Sequence, residues 1–352
     1  MDVRLTGRRG GLLAVVAVAS VALAGCTQVP TPAPTITPTV VADKTSPPEP
    51  VVPVVWPLTG VEGDVRERPA IAVKIENTGA SRPQTGLEHA DVVWENIVEF
   101  GVSRFVAVYH STLPAEVGPI RSVRPVDAKI ASPLRGLLAF SGGQSGIVSY
   151  LRGTPLQLLS HDAGDSGFYR VSRRVAPHNV YGSLETFLRQ ADSAHRRGPA
   201  PEFAFASRPG RATAELEGEQ ASVIRLSLAP GVAPRWTWDA GSGSWLRSEA
   251  SGAAVSAAGV RLSATNVVVL DVESYDSGYD AQLGEPVPDM RLEGTGTGIL
   301  ATGGKTIPVT WTKVDRNSPV VLATSDGRAA TLAAGNTWVE LVPKPGGSFA
   351  VE

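Results

Sequence analysis

The sequence predicts an α+β protein, with a mixed α/β amino-terminal domain followed by a mainly β carboxy-terminal domain. Three observations carry this. Up to about residue 198, short strand-like runs alternate with segments of helical spacing. Beyond Arg196-Arg197-Gly198-Pro199-Ala200-Pro201 the helical periods fade, and short β-type runs recur between glycine turns. The 352 residues, 42% hydrophobic, are enough for two ordinary cores.

The chain opens with a basic head, Arg4, Arg8 and Arg9, and an apolar stretch from Gly11 to Ala24 that is short for a membrane span. Leu23-Ala24-Gly25-Cys26 then closes it with small residues before the only cysteine. This pattern is that of a bacterial lipoprotein signal: residues 1–25 are removed and Cys26 carries the lipid, a diacylglyceryl group with palmitate-type chains. With Cys26 used in this way no thiol is left for a disulfide or for catalysis. Residues 26–55 are dominated by proline, threonine and valine, a composition expected to be extended and disordered, with a reach of roughly 80 to 90 Å at about 3.1 Å per residue. A folded body from residue 56 would stand off the membrane surface.

Within the amino-terminal domain, residues 56–198, the alternation Ala70-Ile71-Ala72-Val73-Lys74-Ile75-Glu76 predicts a strand ended by Asn77-Thr78-Gly79. Asp91–Glu99 and Val102–His110 predict a hairpin around Phe100-Gly101. Gly136–Ser141 reads as a buried strand, Val126–Ala131 and Ser145–Arg152 as short helices, and Leu184–His195 as a helix capped by Ser183. In the carboxy-terminal domain, residues 199–352, strands are expected at 222–228, 235–238, 244–247, 266–273, 306–314, 320–323, 329–332 and 338–342, arranged as a sandwich or small open barrel. Trp236, Trp238, Trp245, Trp311 and Trp338 lie there, as core or as a stacking platform for glycans.

A net charge of −2 argues against a nucleic-acid partner, because phosphate neutralisation needs a basic excess. No P-loop, Gly-x-Ser-x-Gly elbow, zinc-finger or dinucleotide pattern occurs, and neither metal nor cofactor is expected. The polar residues that invite chemistry cluster in the first domain. Strand alternation places Glu95 and Glu99 on one face, about 13 Å apart, which is too far for a paired-carboxylate mechanism. Arg104 joins them or is flipped away according to the length of the hairpin turn, and an Arg–Glu pair would then hold the hairpin. Arg121 and Arg124, in Gly118-Pro119-Ile120-Arg121-Ser122-Val123-Arg124-Pro125, suit bidentate binding of a carboxylate or phosphate, or pair internally with Glu95, Glu99 or Asp127. His178 and Asn179, after Ala176-Pro177, offer an acid/base group or a loop latch.

The order of these motifs resembles that of the YerB-like bacterial lipoproteins. It runs from Pro57-Leu58-Thr59-Gly60 through Arg82-Pro83-Gln84-Thr85-Gly86-Leu87, Ser103-Arg104-Phe105 and Gly118–Pro125 to Phe168-Tyr169-Arg170 and Ala176-Pro177-His178-Asn179. Trp311-Thr312-Lys313 and Gly335-Asn336-Thr337-Trp338 follow in the second domain. The resemblance implies an envelope lipoprotein with a pair of domains of uncharacterised function, and it transfers no catalytic assignment. The expected protein is exported and anchored to the outer face of the cell membrane through Cys26. Its ligand-binding residues are expected among Glu95, Glu99, Arg104, Arg121, Arg124, His178 and Asn179, and its partner is a cell-wall polymer or an envelope protein. The alternative is an envelope hydrolase or transferase using the same Arg/Glu/His cluster.

Overall fold

Five of the first-half strands lie in one sheet of the computed structural model, which describes residues 53–352, and two more pair with each other. The expected signal sequence, Cys26 and the part of the expected tether before residue 53 lie outside the described residues. The first-half strands are β1 (Ile71–Glu76), β2 (Val92–Ile97), β3 (Ser103–Tyr109), β4 (Leu137–Phe140), β5 (Gln157–Ser160), β6 (Phe168–Arg170) and β7 (Val180–Gly182). Its helices are α1 (Pro125–Ala131), α2 (Ser145–Arg152) and α3 (Leu184–Arg189), and α4 (Thr213–Glu217) follows. The second half contributes β8 (Glu219–Gln220), β9 (Val223–Ser227), β10 (Arg235–Asp239), β11 (Ser244–Glu249), β12 (Gly252–Ala253) and β13 (Ser263–Ala264). Then come β14 (Asn266–Asp280), β15 (Pro286–Met290), β16 (Gly294–Thr302), β17 (Lys305–Lys313), β18 (Val321–Ala323), β19 (Thr337–Lys344) and β20 (Ser348–Val351).

Helix α3 stops earlier than its spacing predicts. Asp192 accepts from the backbone N–H groups of Ala194 and His195, a local turn that competes with further helix. Ala329–Leu332 forms isolated bridges instead of a strand.

The second half does not close into a sandwich or barrel of its own. Its strand β19 is inserted between β14 and β2, parallel to both, so that one 12-stranded sheet runs in the order β18-β17-β16-β14-β19-β2-β3-β1-β4-β5, with β8 and β15 paired to its side. The physical reason is visible in β19 itself: Thr337 to Pro343 is buried throughout, as expected of a parallel strand covered on both faces. Strands β9 to β13 and β20 form a second sheet of six strands, which lies against the middle of the long one. There the ring of Trp236 meets Trp338 at 5.2 Å, and Trp338 meets Phe105 at 5.3 Å. Trp236, Trp245, Trp311 and Trp338 are therefore core, and no exposed tryptophan platform for glycans forms among the described residues.

The opposite face of the long sheet is covered by α1, whose seven residues are all buried. Lys74, on β1, points into this layer and donates to Asp127 on α1 at 2.6 Å and to Asn96 on β2 at 3.0 Å. Asp127 also accepts from the Arg124 N–H at 2.7 Å, capping α1. From the second half, the long hairpin β14–β15 reaches back over this face. Lys129 of α1 holds its base, bonding Asp289 at 2.7 Å and the Met290 carbonyl at 2.8 Å.

Candidate functional site

A cleft of about 710 Å³ opens where the end of β1 and the start of β3, the 118–125 segment, the start of α2 and the tip of the β14–β15 hairpin meet. Its polar floor follows from register. Glu76 pairs with Arg104 across β1 and β3, and Asn96 pairs with Arg104 across β2 and β3, so Lys74, Glu76, Asn96 and Arg104 share one face. The 118–125 segment then runs across that face. Gly118 sits at φ +152°, and a Cβ there would meet the Tyr181 ring at 2.7 Å, so glycine is needed for this close passage. The segment is stitched to the floor by Arg121 N–H to the Lys74 carbonyl at 2.9 Å and to the next strand end by Ser141 N–H to the Arg121 carbonyl at 3.0 Å.

Two ion clusters line the floor. In the first, Glu99 accepts from Arg104 at 3.1 Å and takes the fork of Arg124 through both carboxylate oxygens. Burial raises the Glu99 carboxyl, but the Arg124 hydrogen bond and the charges of Arg104 and Arg124 outweigh it and hold the group down at about 2. In the second, Glu76 accepts from Thr78 at 2.9 Å and from Nδ1 of His178 at 2.9 and 3.0 Å, while Nε of Arg121 lies 3.6 Å from it. Arg121 also donates to the Pro177 carbonyl at 3.2 Å, yet its buried Nε has no hydrogen-bond acceptor.

The floor as a whole carries more positive than negative groups: Lys74, Arg104, Arg121 and Arg124 face Glu76, Glu99 and Asp127. The two innermost cations are lowered chiefly by burial. Burial, then the neighbouring Arg124, lowers Arg104 to about 10. Lys74 is lowered to about 8 by burial, with Arg104 and Arg124 adding to the effect and Asp127 opposing it. Asp162 and Asp280 lie on the exposed rim, where water screens them.

Of the expected residues, the structure brings Glu99, Arg104, Arg121, Arg124 and His178 into this one cleft. Glu95 is elsewhere. The hairpin strand ends at Ile97 and Glu99 belongs to a 3-10 turn, so the alternation that would put Glu95 and Glu99 on one face breaks. Glu95 projects to the opposite face, onto Arg247 at 2.6 Å. Asn179 accepts from Arg170 at 2.7 Å outside the cleft, and Gln84 bonds the Glu76 carbonyl and Asn77 as a backbone support. Asp165 accepts from the Ser160 N–H at 2.7 Å.

Arg173 and Arg174 act as clamps on the segment that carries His178. Arg174 donates to the carbonyls of Ala80 at 2.7 Å and Pro83 at 2.6 Å, and Arg173 pairs with Glu116 while its guanidinium stacks 4.6 Å from the Tyr181 ring. Sequence reasoning missed Glu76 and Lys74, and it named Asp127 only as a partner for Arg121 or Arg124, not for Lys74. The available signal was two charged residues, Lys74 and Glu76, two apart on an otherwise apolar strand, which places both on one face. It also missed the contribution of Asp280–Val287, because nothing local to that hairpin tells what it reaches.

The comparisons with known proteins agree with this architecture. Residues 58–197 match the model of a protein of unknown function (DUF3048) N-terminal domain, and residues 224–339 match the corresponding DUF3048 C-terminal domain. The chain is 24% identical over 296 residues to the protein named "Putative lipoprotein YerB" of Bacillus subtilis (strain 168), covering 82% of this chain and 86% of that protein. The crystal structure of YerB protein from Bacillus subtilis superposes with a TM-score of 0.71 at 23% identity, over 84% of this chain and 99% of that one, and so shares the fold. With both domain models matched in order and a relative aligned across most of its length, the chain belongs to the YerB-like DUF3048 family.

Proposed function

We propose that this protein is a lipid-anchored component of the cell envelope whose cleft takes an anionic group of an envelope ligand, a wall polymer or a partner protein. The observation that supports this most directly is Arg121: in a floor with surplus positive charge, it is the arginine whose Nε has no hydrogen-bond acceptor. Glu99 already engages Arg104 and Arg124, so these two shape the site and add field, while Arg121, which gives one bond to the Pro177 carbonyl and lies 3.6 Å from Glu76, keeps its remaining N–H groups for a ligand. The test is retention of anionic wall fractions by the chain and by Arg121→Ala. Loss of binding by about tenfold or more at an unchanged melting temperature is expected, on the strength of a charge-assisted hydrogen bond. Equal retention would overturn the reading. Anchoring has its own test: Cys26→Ala should release the protein from membranes or leave the precursor uncleaved, and normal retention rejects it.

One observation favours a second reading, an envelope hydrolase or transferase. Glu76 holds Nδ1 of His178, and the opposite ring nitrogen has no protein partner among the described residues, the arrangement of a general base oriented by a carboxylate. Release of a fragment from a wall fraction by the wild-type chain, lost in His178→Gln, would establish it.

A further inference from the structure

The cleft has a second wall of a different kind. Beside the arginines the lining includes the apolar side chains of Phe100, Val102 and Ala281, backed by the buried Ile147 and Val287, so that this wall is built partly from the first half and partly from the tip of the β14–β15 hairpin. At the mouth two large apolar side chains stand in water: Phe100 is 54% exposed, and Leu283, beside the lining residues Ala281 and Gln282, is 98% exposed. Both have left-handed backbone, at φ 60° and 65°. Three non-glycine residues adopt this conformation among the described residues, and two of them stand at this mouth. A residue with a Cβ is disfavoured there, and an apolar side chain gains nothing from exposure, so neither feature is explained by folding alone.

We propose that the ligand of the cleft is a phosphorylated amphiphile, with its phosphate on Arg121 and an aliphatic chain along the apolar wall, covered by Phe100 and Leu283. This rests on the anion reading of the cleft and names the ligand's chemistry. A phosphate has three acceptor oxygens, enough for the Arg121 fork together with neutral donors. Ser122 lines the cleft beside Arg121. Gln144 does so as well, because the backbone bonds Ser141 N–H to the Arg121 carbonyl and Val123 N–H to the Gly142 carbonyl, both 3.0 Å, bring that turn alongside. The surplus positive charge of the floor complements the head, and the apolar wall complements the tail.

The experiment is calorimetric titration of the chain from Thr27 to Glu352, which keeps the whole compact unit, with three probes: inorganic phosphate, octyl phosphate below its critical micelle concentration, and octyl glucoside. Octyl phosphate should bind at least about 30-fold more tightly than phosphate, the scale of burying a few methylenes, and octyl glucoside should bind far more weakly than octyl phosphate. The exposed double variant Phe100→Ser, Leu283→Ser should weaken octyl phosphate by about fivefold or more and leave inorganic phosphate unchanged. Arg121→Ala should weaken both phosphates. Equal binding of phosphate and octyl phosphate would overturn the amphiphile and leave the anion reading standing. Equal binding of octyl glucoside and octyl phosphate would mean an indiscriminate apolar patch and also overturn it. If neither phosphate compound binds, this proposal fails, and failure of wall fractions in the separate retention test would take the anion reading with it.

Discussion

Glu99 is the residue on which the floor of the cleft depends, because it faces two arginines that are themselves nearly buried. Removing its charge leaves those cations without a close counter-ion. Glu99→Gln is expected to cost about 3 kcal/mol, read as a lower urea midpoint. Its pH dependence has a definite sign. The folded carboxyl sits at about 2 and the unfolded one near about 4.3, so its stabilisation is complete above pH ~4.3 and is lost as the pH falls toward 2. Acid titration of the wild type should show this loss, worth about 2 to 3 kcal/mol, and Glu99→Gln should lack that component.

At the scale of elements, the cleft depends on two pieces of chain that come from far away in sequence. The first is the 170–179 segment, held over the floor by Arg173 and Arg174. Arg174→Ala should leave the melting temperature nearly unchanged while amide hydrogen exchange rises across residues 174–179, since half-exposed side-chain bonds hold a loop more than they hold a core. The second is the β14–β15 hairpin, whose Tyr279 packs on α2 at Gly146, where a Cβ would meet the ring at 2.6 Å. Gly146→Val should push Tyr279 off at a cost of about 1 kcal/mol, because the ring is half-exposed and can swing away, and exchange should increase in residues 279–287 while β2 and β3 stay protected.

At the scale of the molecule, one side chain joins the two sheets and both halves of the chain. Arg247, fully buried on β11, bonds Glu95 of β2 at 2.6 Å, Glu340 of β19 at 2.8 Å and Glu249 at 2.8 Å, with its guanidinium 4.9 Å from the Trp338 ring. Three carboxylates around one cation cannot all stay ionised in a dry interior. Burial and the nearby Glu95 charge raise Glu340 well above the usual carboxyl range. Arg247→Met should therefore cost about 3 to 5 kcal/mol, whereas Glu340→Gln, which mimics the protonated acid, should be near neutral at pH 7. The gap between that variant and the wild type should widen in its favour as the pH rises, because a raised carboxyl pKa means stability lost with increasing pH. Urea titrations of both at pH 6 and pH 9 check this. A chain ending before residue 337 lacks β19, the strand between β14 and β2, and should fail to give a cooperative unfolding transition.

Much of this protein was legible locally. Alternation marked β1, β2 and β3, the 126–131 run marked α1, and the arginines of 121 and 124 marked the segment that crosses the cleft, because strand period, helical spacing and charge are properties of neighbours in sequence. Glu99 was legible as a partner for arginine, but its face was not, since the length of the turn that follows β2 decides it. The assignment of Glu95 to Arg247 rather than to Arg121, the partnership of Glu76 with His178 across 102 residues, and the apolar wall supplied by residues 281–287 were decided by the tertiary structure. Each depends on which strand lies beside which, and β19 takes its place between β14 and β2 only because a strand apolar on both faces must be covered on both. The sequence by itself determined the elements and the kinds of groups that each presents; long-range strand pairing decided which of those groups meet.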